Sequence, residues 1–338
     1  MKNVAVVILN YNGASMLEKF LPSVVEYSPE AEVVVADNGS NDASLELLRC
    51  AFPSVRVIGL DHNYGFADGY NKALELVDAE YYMLLNSDVE VTSGWLAPLL
   101  SFMDGNSKAV ACQPLLLDYK NRGFFEYAGA AGGFIDRYGY PYCRGRIFGT
   151  VEKNLGQYDE TCRIFWTTGA AMMVRSKDFR AAGGFDGRFF AHMEEVDLCW
   201  RLNARGGELY CVPASRVYHV GGATLDKSNP RKTFLNFRNN LLMLYKNLPA
   251  GELRHVMCVR CLLDYVAAFK FLLSGSVGDF KAVLKARREY RRMRASYGAV
   301  RRENLLRCVV GKLFGRAGFM LLWQYHVRGR KYYSKLKK

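Results

Sequence analysis

The chain has 338 residues, 46 Lys and Arg against 33 Asp and Glu, a formal net charge of +13, and half of its residues apolar. That composition supports a large core and excludes a disordered chain. Nine scattered cysteines, with Cys258 and Cys261 as a lone C-x-x-C, do not make a zinc framework and read as reduced thiols of a cytoplasmic protein. The opening MKNVAVVILNYNG has an apolar run too short for a signal peptide, and no uncharged apolar run reaches the ~18 residues of a spanning helix. The charge is uneven: residues 250–338 hold 21 Lys and Arg against 5 Asp and Glu, whereas residues 1–249 hold 25 against 28.

In chain order, VAVVIL (4–9) is a continuous β-branched apolar run ending in the turn signal Asn10-Tyr11-Asn12-Gly13. It predicts a buried strand followed by a helix to about Tyr27. EVVVA (32–36) predicts a second strand ending at Asp37, with Ser40 to Ser44 capping a short helix. VRVIGL (55–60) predicts a third strand, 66–78 a helix, and YYMLL (81–85) a fourth strand ending at Asn86-Ser87-Asp88. Apolar strands alternating with helices predict an α/β fold, a doubly wound and mostly parallel sheet covered on both faces. Ligands of such sheets bind beyond the carboxyl ends of the strands, where Asn10, Asp37, Asn86 and Asp88 fall.

Residues 105–165 are rich in Gly and Tyr and predict strands, loops and a lid or acceptor loop. TTGAAMMVR (167–175) predicts a buried strand or turn. A helix is expected from about 193 to 205, stopped by Gly206-Gly207. ELYCVP (208–213) and SRVYHVGG (215–222) predict the last pieces of the sheet, and from 231 the pattern is helical to the end.

No G-x-G-x-x-G follows the first strand and there is no P-loop, which argues against a dinucleotide cofactor. The strand ends carry carboxylates instead. These bind phosphate through a divalent cation, or bind base and ribose by hydrogen bonds. Asn86 and Asp88 stand two apart and suit Mg²⁺ or Mn²⁺, or equally an Asx turn. Asp37 serves equally as a turn residue before Gly39.

In FFAHMEEVDLCWR (189–201), helical spacing puts Glu194, Asp197 and Arg201 on one side. Asp197 and Arg201 are spaced for a structural i, i+4 pair. Glu195 shares the other side with Leu198 and Leu202 and is aimed inward. It is either a cap for a backbone amide or a general base in a partly dry site. The basic stretches 280–294 and 305–325 read as amphipathic helices suited to an anionic membrane interface, with a solvated or oligomer face as the rival. No nucleic-acid-binding fold surrounds them, so no nucleic-acid partner is expected.

Taken together, VVILNYNG, VVVADNGSNDAS, NYGFADGYNKAL, LLNSDVEV, TTGAAMMVR and GGFDGRFFAHMEEVDLCWRL resemble family 2 of the inverting nucleotide-sugar glycosyltransferases, with the GT-A fold, in its bacterial rhamnosyltransferase-like branch. The resemblance covers about residues 3–245. It implies a GT-A domain over 1–245 followed by a basic helical region over 246–338. It further implies metal-dependent transfer of a sugar from a nucleoside diphosphate donor to a glycan or lipid-linked acceptor. By the family pattern, Glu195 is the base, and Asp37, with Asn10, Asn38 and Asp68, binds the nucleotide. Asp88 is then the main ligand of Mg²⁺ or Mn²⁺, and Asn86 stands where the family's D-x-D motif has its first acid. His219 is a further ligand or a structural histidine after a strand. Trp166, Thr168, Glu194 and Asp197 shape or support the acceptor site, with Trp166 equally a core residue. The expectation is a cytoplasmic enzyme, peripheral on the inner face of the cell membrane, in cell-surface polysaccharide synthesis. Two alternatives stay open: a non-catalytic nucleotide-sugar or glycan-binding protein, suggested by Asn86, and a nucleotidyltransferase on the same scaffold.

Overall fold

In a computed structural model of the chain, residues 3–221 and 229–336 are described; Gly222, the end of the SRVYHVGG run, lies outside them. The first half alternates as the apolar runs predict: β1 Val4–Asn10, α1 Ala14–Tyr27, β2 Glu32–Asp37, α2 Ser44–Ala51, β3 Arg56–Gly59, α3 Gly65–Glu75 and β4 Tyr81–Asn86. The runs are continuous because both faces are covered. Val4, Val6 and Ile8 pack with Leu17 and Leu21 of α1, while Ala5 and Val7 pack on the other side with Ala67 and Tyr70 of α3. The four parallel strands lie in the order β3-β2-β1-β4, so the winding reverses between β1 and β4. The register sets Asn10 beside Asp37 and Leu9 beside Asn86, which puts all three polar residues on one edge.

The middle of the chain contributes β5 Val89–Val91, α4 Leu96–Gly105, β6 Ala109–Asp118, β7 Gly133–Asp136, β8 Pro141–Cys143, β9 Arg146–Ile147, β10 Thr150–Val151, β11 Cys162–Ile164, β12 Ala171–Arg175, α5 Ser176–Ala181, α6 Glu194–Ala204 and β13 Glu208–His219. The large sheet continues from β4 through antiparallel β12 to β6, β13 and β11, with β5 paired to β13. ELYCVP and SRVYHV form one strand rather than two pieces. Its register shifts between Val212 and Arg216, where Pro213 has no N–H for the ladder.

Within the Gly- and Tyr-rich stretch, β6 and β11 join the large sheet, and residues 133–151 form a second, small sheet. Four short strands run in the order β10-β9-β8-β7, and β14 (Arg316–Ala317) closes it in parallel with β7. Its side chains Ile135, Tyr142, Cys143 and Ile147 belong to the same buried cluster as α3 and α6.

The C-terminal region holds α7 Pro230–Asn247, α8 Ala250–Leu273, α9 Val277–Met293 and α10 Gly298–Leu306. The expectation of helix to the end fails beyond Leu306. Gly311, Gly315 and Gly318 interrupt the apolar pattern, and Gly315 takes a φ of +74° against Phe165, where a Cβ would lie 2.8 Å from that side chain. Residues 305–325 are therefore mostly irregular chain around β14. Buried Asp136 and Glu152 of the small sheet accept the backbone N–H of Leu321 and Tyr333 at 2.8 and 3.0 Å. The helices are tied down too. Asp264 of α8, fully buried, pairs with Arg260 at 3.1 Å and Arg287 of α9 at 2.6 Å, and Arg260 also donates to the Tyr138 carbonyl. The apolar side of α9, Ala282, Val283, Ala286 and Tyr290, is buried, not offered to solvent. The described residues contain no disulfide. Among the described residues, no helix is long and apolar enough to cross a membrane.

Candidate active site

Three strand ends meet beside β1, where the strand order reverses. Asn10, fully buried, donates from Nδ2 to Asp37 Oδ2 at 3.1 Å, and Asp37 Oδ1 accepts the Ser40 N–H at 2.9 Å. Asn10 Oδ1 has no hydrogen-bond partner among the described residues. Asn38 is also buried; its amide donates to the Gly65 carbonyl and accepts from the Tyr64 N–H, clasping the start of α3. Asp68 lies in the first turn of α3, its carboxylate against Gly187, where a Cβ would come within 2.8 Å. Residues 187–193 thus pass directly over α3. The Phe190 carbonyl accepts the N–H groups of Phe66 and Ala67 at 2.6 and 3.1 Å.

The second group is Asn86, Asp88 and His219, brought together by pairing. His219 ends β13 opposite Val89, so its ring stands over Asp88. Nε2 lies 3.1 Å from Asp88 Oδ1 and 3.5 Å from Asn86 Nδ2, and Nδ1 lies 3.3 Å from Glu126 Oε1. Burial alone would push the His219 pKa down, but the carboxylates of Glu126 and Asp88 override it and hold it up at about 10. Burial likewise pushes Asp88 up, and the imidazolium beside it wins and keeps the carboxyl below its usual range. Glu126, also buried, was not visible in the sequence. It lies in the Gly- and Tyr-rich stretch, where no periodicity marks it.

The third group is the acidic turn at the start of α6. Phe190, His192 and Met193 adopt left-handed φ values of 67°, 69° and 71°, a strained approach that L-residues adopt only when neighbours enforce it. The enforcing residue is Asn239 of α7, fully buried. Its Nδ2 donates to the carbonyls of Phe189, Ala191 and His192 at 3.0, 2.9 and 2.8 Å. Its only sequence signal is an Asn pair directly before the apolar run Leu241–Leu244. Asp197 lies in a cage: Arg201 at 2.9 Å, Lys246 at 2.9 Å and Asn247 at 2.8 Å. The Arg201 pair follows from i, i+4 spacing; the two α7 partners do not. Burial raises the Asp197 pKa, and Lys246 and Arg201 outweigh that, so the carboxyl sits below its usual range.

Glu194 and Glu195 are treated differently. Each keeps an Oε2 atom with no hydrogen-bond partner among the described residues, as does His192 Nε2. Burial pushes Glu195 up to about 7, against the pull of the amides at the helix start. Burial and the Glu195 charge raise Glu194 well above its usual value. Glu195 Cβ lies 3.8 Å from the position of a Cβ on Gly169, and the next residue, Ala170, accepts the Asn86 N–H at 3.0 Å. The glutamate and the strand-end amide therefore flank the same two residues. Thr168 accepts the Ala170 N–H and donates its own N–H to Gln113, which shapes this segment from beneath. Trp166 is buried in the small sheet, its indole donating to the Phe134 carbonyl at 2.8 Å. Glu195 and the Asn10–Asp37 and Asn86–Asp88 groups thus share one edge; Asp197 and Trp166 are built into the packing behind it.

Residues 5–176 match the family model described as glycosyl transferase family 2. The chain is 28% identical over 233 residues to the N-acetylglucosaminyl-diphospho-decaprenol L-rhamnosyltransferase of Mycobacterium tuberculosis, covering 63% of this chain and 75% of that protein. It is 25% identical over 223 residues to the rhamnosyltransferase WbbL of Escherichia coli, covering 64% and 83%. Its fold superposes on the crystal structure of GalNAc-T7 with UDP, GalNAc and Mn²⁺ with a TM-score of 0.59 at 19% identity, over 88% of this chain and 57% of that one. The architecture is the GT-A fold that the motifs imply. The chain belongs to glycosyl transferase family 2 and is a glycosyltransferase.

Proposed function

We propose that this chain transfers a sugar, rhamnose by analogy with its relatives, from a nucleoside diphosphate to a hydroxyl of a glycan or lipid-linked acceptor, with inversion at the anomeric carbon, in cell-surface polysaccharide synthesis at the inner face of the cell membrane. The observation that carries this reading is Glu195. It offers an unpartnered carboxylate oxygen, with a pKa near 7, on the edge that also holds Asn10, Asp37, Asn86 and Asp88. Glu195 takes the proton of the acceptor hydroxyl, and that oxygen attacks the anomeric carbon from the side opposite the leaving group. One carboxylate suffices because a diphosphate leaves without a proton, unlike the leaving group of a glycoside hydrolase. Asp37, Asn10, Asn38 and Asp68 hold the nucleoside end of the donor.

The second group fits a divalent cation in its donor chemistry. Asp88 Oδ1 and His219 Nε2 face each other, and Glu126 behind Nδ1 completes the carboxylate–histidine arrangement that orients a metal-binding ring. Asp88, His219 and the amide oxygen of Asn86 would hold the ion, the ring giving up its Nε2 proton to do so. Bound there, Mg²⁺ or Mn²⁺ supplies neutralising charge for the departing diphosphate.

A non-catalytic nucleotide-sugar binder keeps one supporting observation: Asn86 stands where the D-x-D motif has its first acid. A panel of nucleotide sugars separates the readings. A donor should raise the melting temperature with Mg²⁺ or Mn²⁺ present, and Asp88→Ala should remove the cation-dependent part. Turnover should release a nucleoside diphosphate. Pyrophosphate release would instead mean a nucleotidyltransferase, and binding without turnover of any donor would sink the transfer mechanism.

A further inference from the structure

Helix α8 is apolar on two faces. Its inner face packs Val256 and Ala268 and buries the Asp264 pair with Arg260 and Arg287. Its outer face carries Leu262, Val266, Phe269 and Leu273 at helical spacing, 67%, 58%, 58% and 73% exposed. They form a ridge roughly 16 Å long. The turn at Trp323–Val327 leaves Trp323 and Val327 exposed as well. The two segments pack on one aromatic pair: Arg260 of α8 lies 4.5 Å from the Tyr140 ring, Tyr140 meets Phe148 at 6.4 Å, and the His326 ring stacks on Phe148 at 6.0 Å.

The accessible charge along these two segments is of one sign. Between Leu262 and Leu273 the only acid is Asp264, which is buried and consumed by two arginines. After Glu303 the sequence contains no Asp or Glu at all. An exposed apolar ridge of this kind marks a contact surface, and its rim chooses the partner. A two-fold pairing with a second copy would bring Lys270 and Lys331 toward the same cations of the partner copy, which repel. An anionic bilayer surface takes the same cations favourably and receives the Leu, Val and Phe side chains at its acyl boundary.

We propose that the outer face of α8, with the Trp323–Val327 turn, docks onto an anionic lipid bilayer and lies in its interface without crossing it. This rests on the transferase reading only in that a lipid-linked acceptor is met at such a surface. It also moves the contact from α9 to α8, and keeps only the end of the 305–325 stretch, at Trp323. The apolar side of α9 is spent inside the protein, and residues 305–325 are not an amphipathic helix.

The test is co-sedimentation of the full chain with vesicles of phosphatidylcholine alone and of phosphatidylcholine with phosphatidylglycerol. The wild type should bind the anionic vesicles, and more weakly at high salt. Val266→Asp/Phe269→Asp should weaken that binding by at least about tenfold, with melting temperature and donor turnover unchanged because both residues face solvent. Lys270→Glu/Lys331→Glu should weaken it about as much and flatten the salt dependence. The same charge reversal at exposed Arg288 and Arg291 of α9 should matter far less. Wild-type binding by Val266→Asp/Phe269→Asp overturns the proposal, and so does a shift of that variant from dimer to monomer in sedimentation velocity, which would give the face to a second copy. A wild type that turns over donor but ignores anionic vesicles sinks this surface alone. A chain that binds vesicles through α8 but turns over no donor upholds the surface and sinks the transferase mechanism.

Discussion

The two faces of the turn that opens α6 treat their carboxylates in opposite ways. Toward α7, Asp197 is enclosed by Lys246, Arg201 and Asn247 and ionised throughout the neutral range. Toward the strand ends, Glu194 and Glu195 keep unpartnered oxygens, and burial lifts both. A single residue, Val196, separates Asp197 from Glu195, so sequence position does not make the difference. A carboxylate that is fully paired has been committed to holding the fold. One left desolvated, with an oxygen unpartnered and no cation beside it, is destabilising there, which is the condition expected of a group proposed for proton transfer.

The sharpest way to break this comparison is Glu195→Gln. Removing a general base should lower turnover by about 10²–10⁴-fold, while donor affinity, measured by calorimetry, stays near wild type. A folded Glu195→Gln enzyme with near-normal turnover would hand the role to Glu194. Asp197→Ala should do the reverse. It leaves Lys246 and Arg201 buried without their shared anion, at a cost of about 3–5 kcal/mol in stability, measured by denaturant unfolding. Asn239→Ala should cost about 1–3 kcal/mol, since three carbonyls lose their shared donor, and it should also lower kcat because the left-handed approach to Glu195 relaxes. A loss of stability with unchanged kcat would show that the turn holds its shape without the clamp.

The smallest effect is the most diagnostic. Glu195 has a folded pKa raised from 4.5 to about 7, so its contribution favours folding below the unfolded value and is lost as pH rises through about 7. Asp197, lowered from 3.8, contributes above its unfolded value and loses that contribution as pH falls. The melting temperature of Glu195→Gln relative to wild type should therefore climb between pH 5 and pH 8. That of Asp197→Asn should instead recover toward wild type under acid. A pH-independent difference for Glu195→Gln would mean that the group does not titrate in that window.

What could be read from the sequence followed the range of the interactions. Strands β1, β2 and β4 announce themselves in runs such as VAVVIL, and their ends placed Asn10, Asp37 and Asn86 on one edge, because parallel strands in register align their carboxyl ends. The Asp197–Arg201 pair is one helical turn long and was equally legible. Glu126 and Asn239 were not, since each acts on residues more than 40 positions away. The small sheet was hidden because strands of two to four residues are too short to show a period. The apolar residues of α9 were visible, but nothing local says whether such a stripe faces solvent or, as here, the protein's own core.

The pairing of β14 with β7 also bears on how the protein is made. Arg316 sits beside Ile135, so on the ribosome β7 waits while roughly 180 further residues are synthesised at about 5–20 residues per second. For some ten seconds or more, the nascent chain carries an open strand edge together with the buried acceptors Asp136 and Glu152, whose amide partners, Leu321 and Tyr333, do not yet exist. Late-closing, long-range pairing of this kind is slow and exposes the chain to association. The yield of native enzyme should therefore depend on chaperone capacity during that interval.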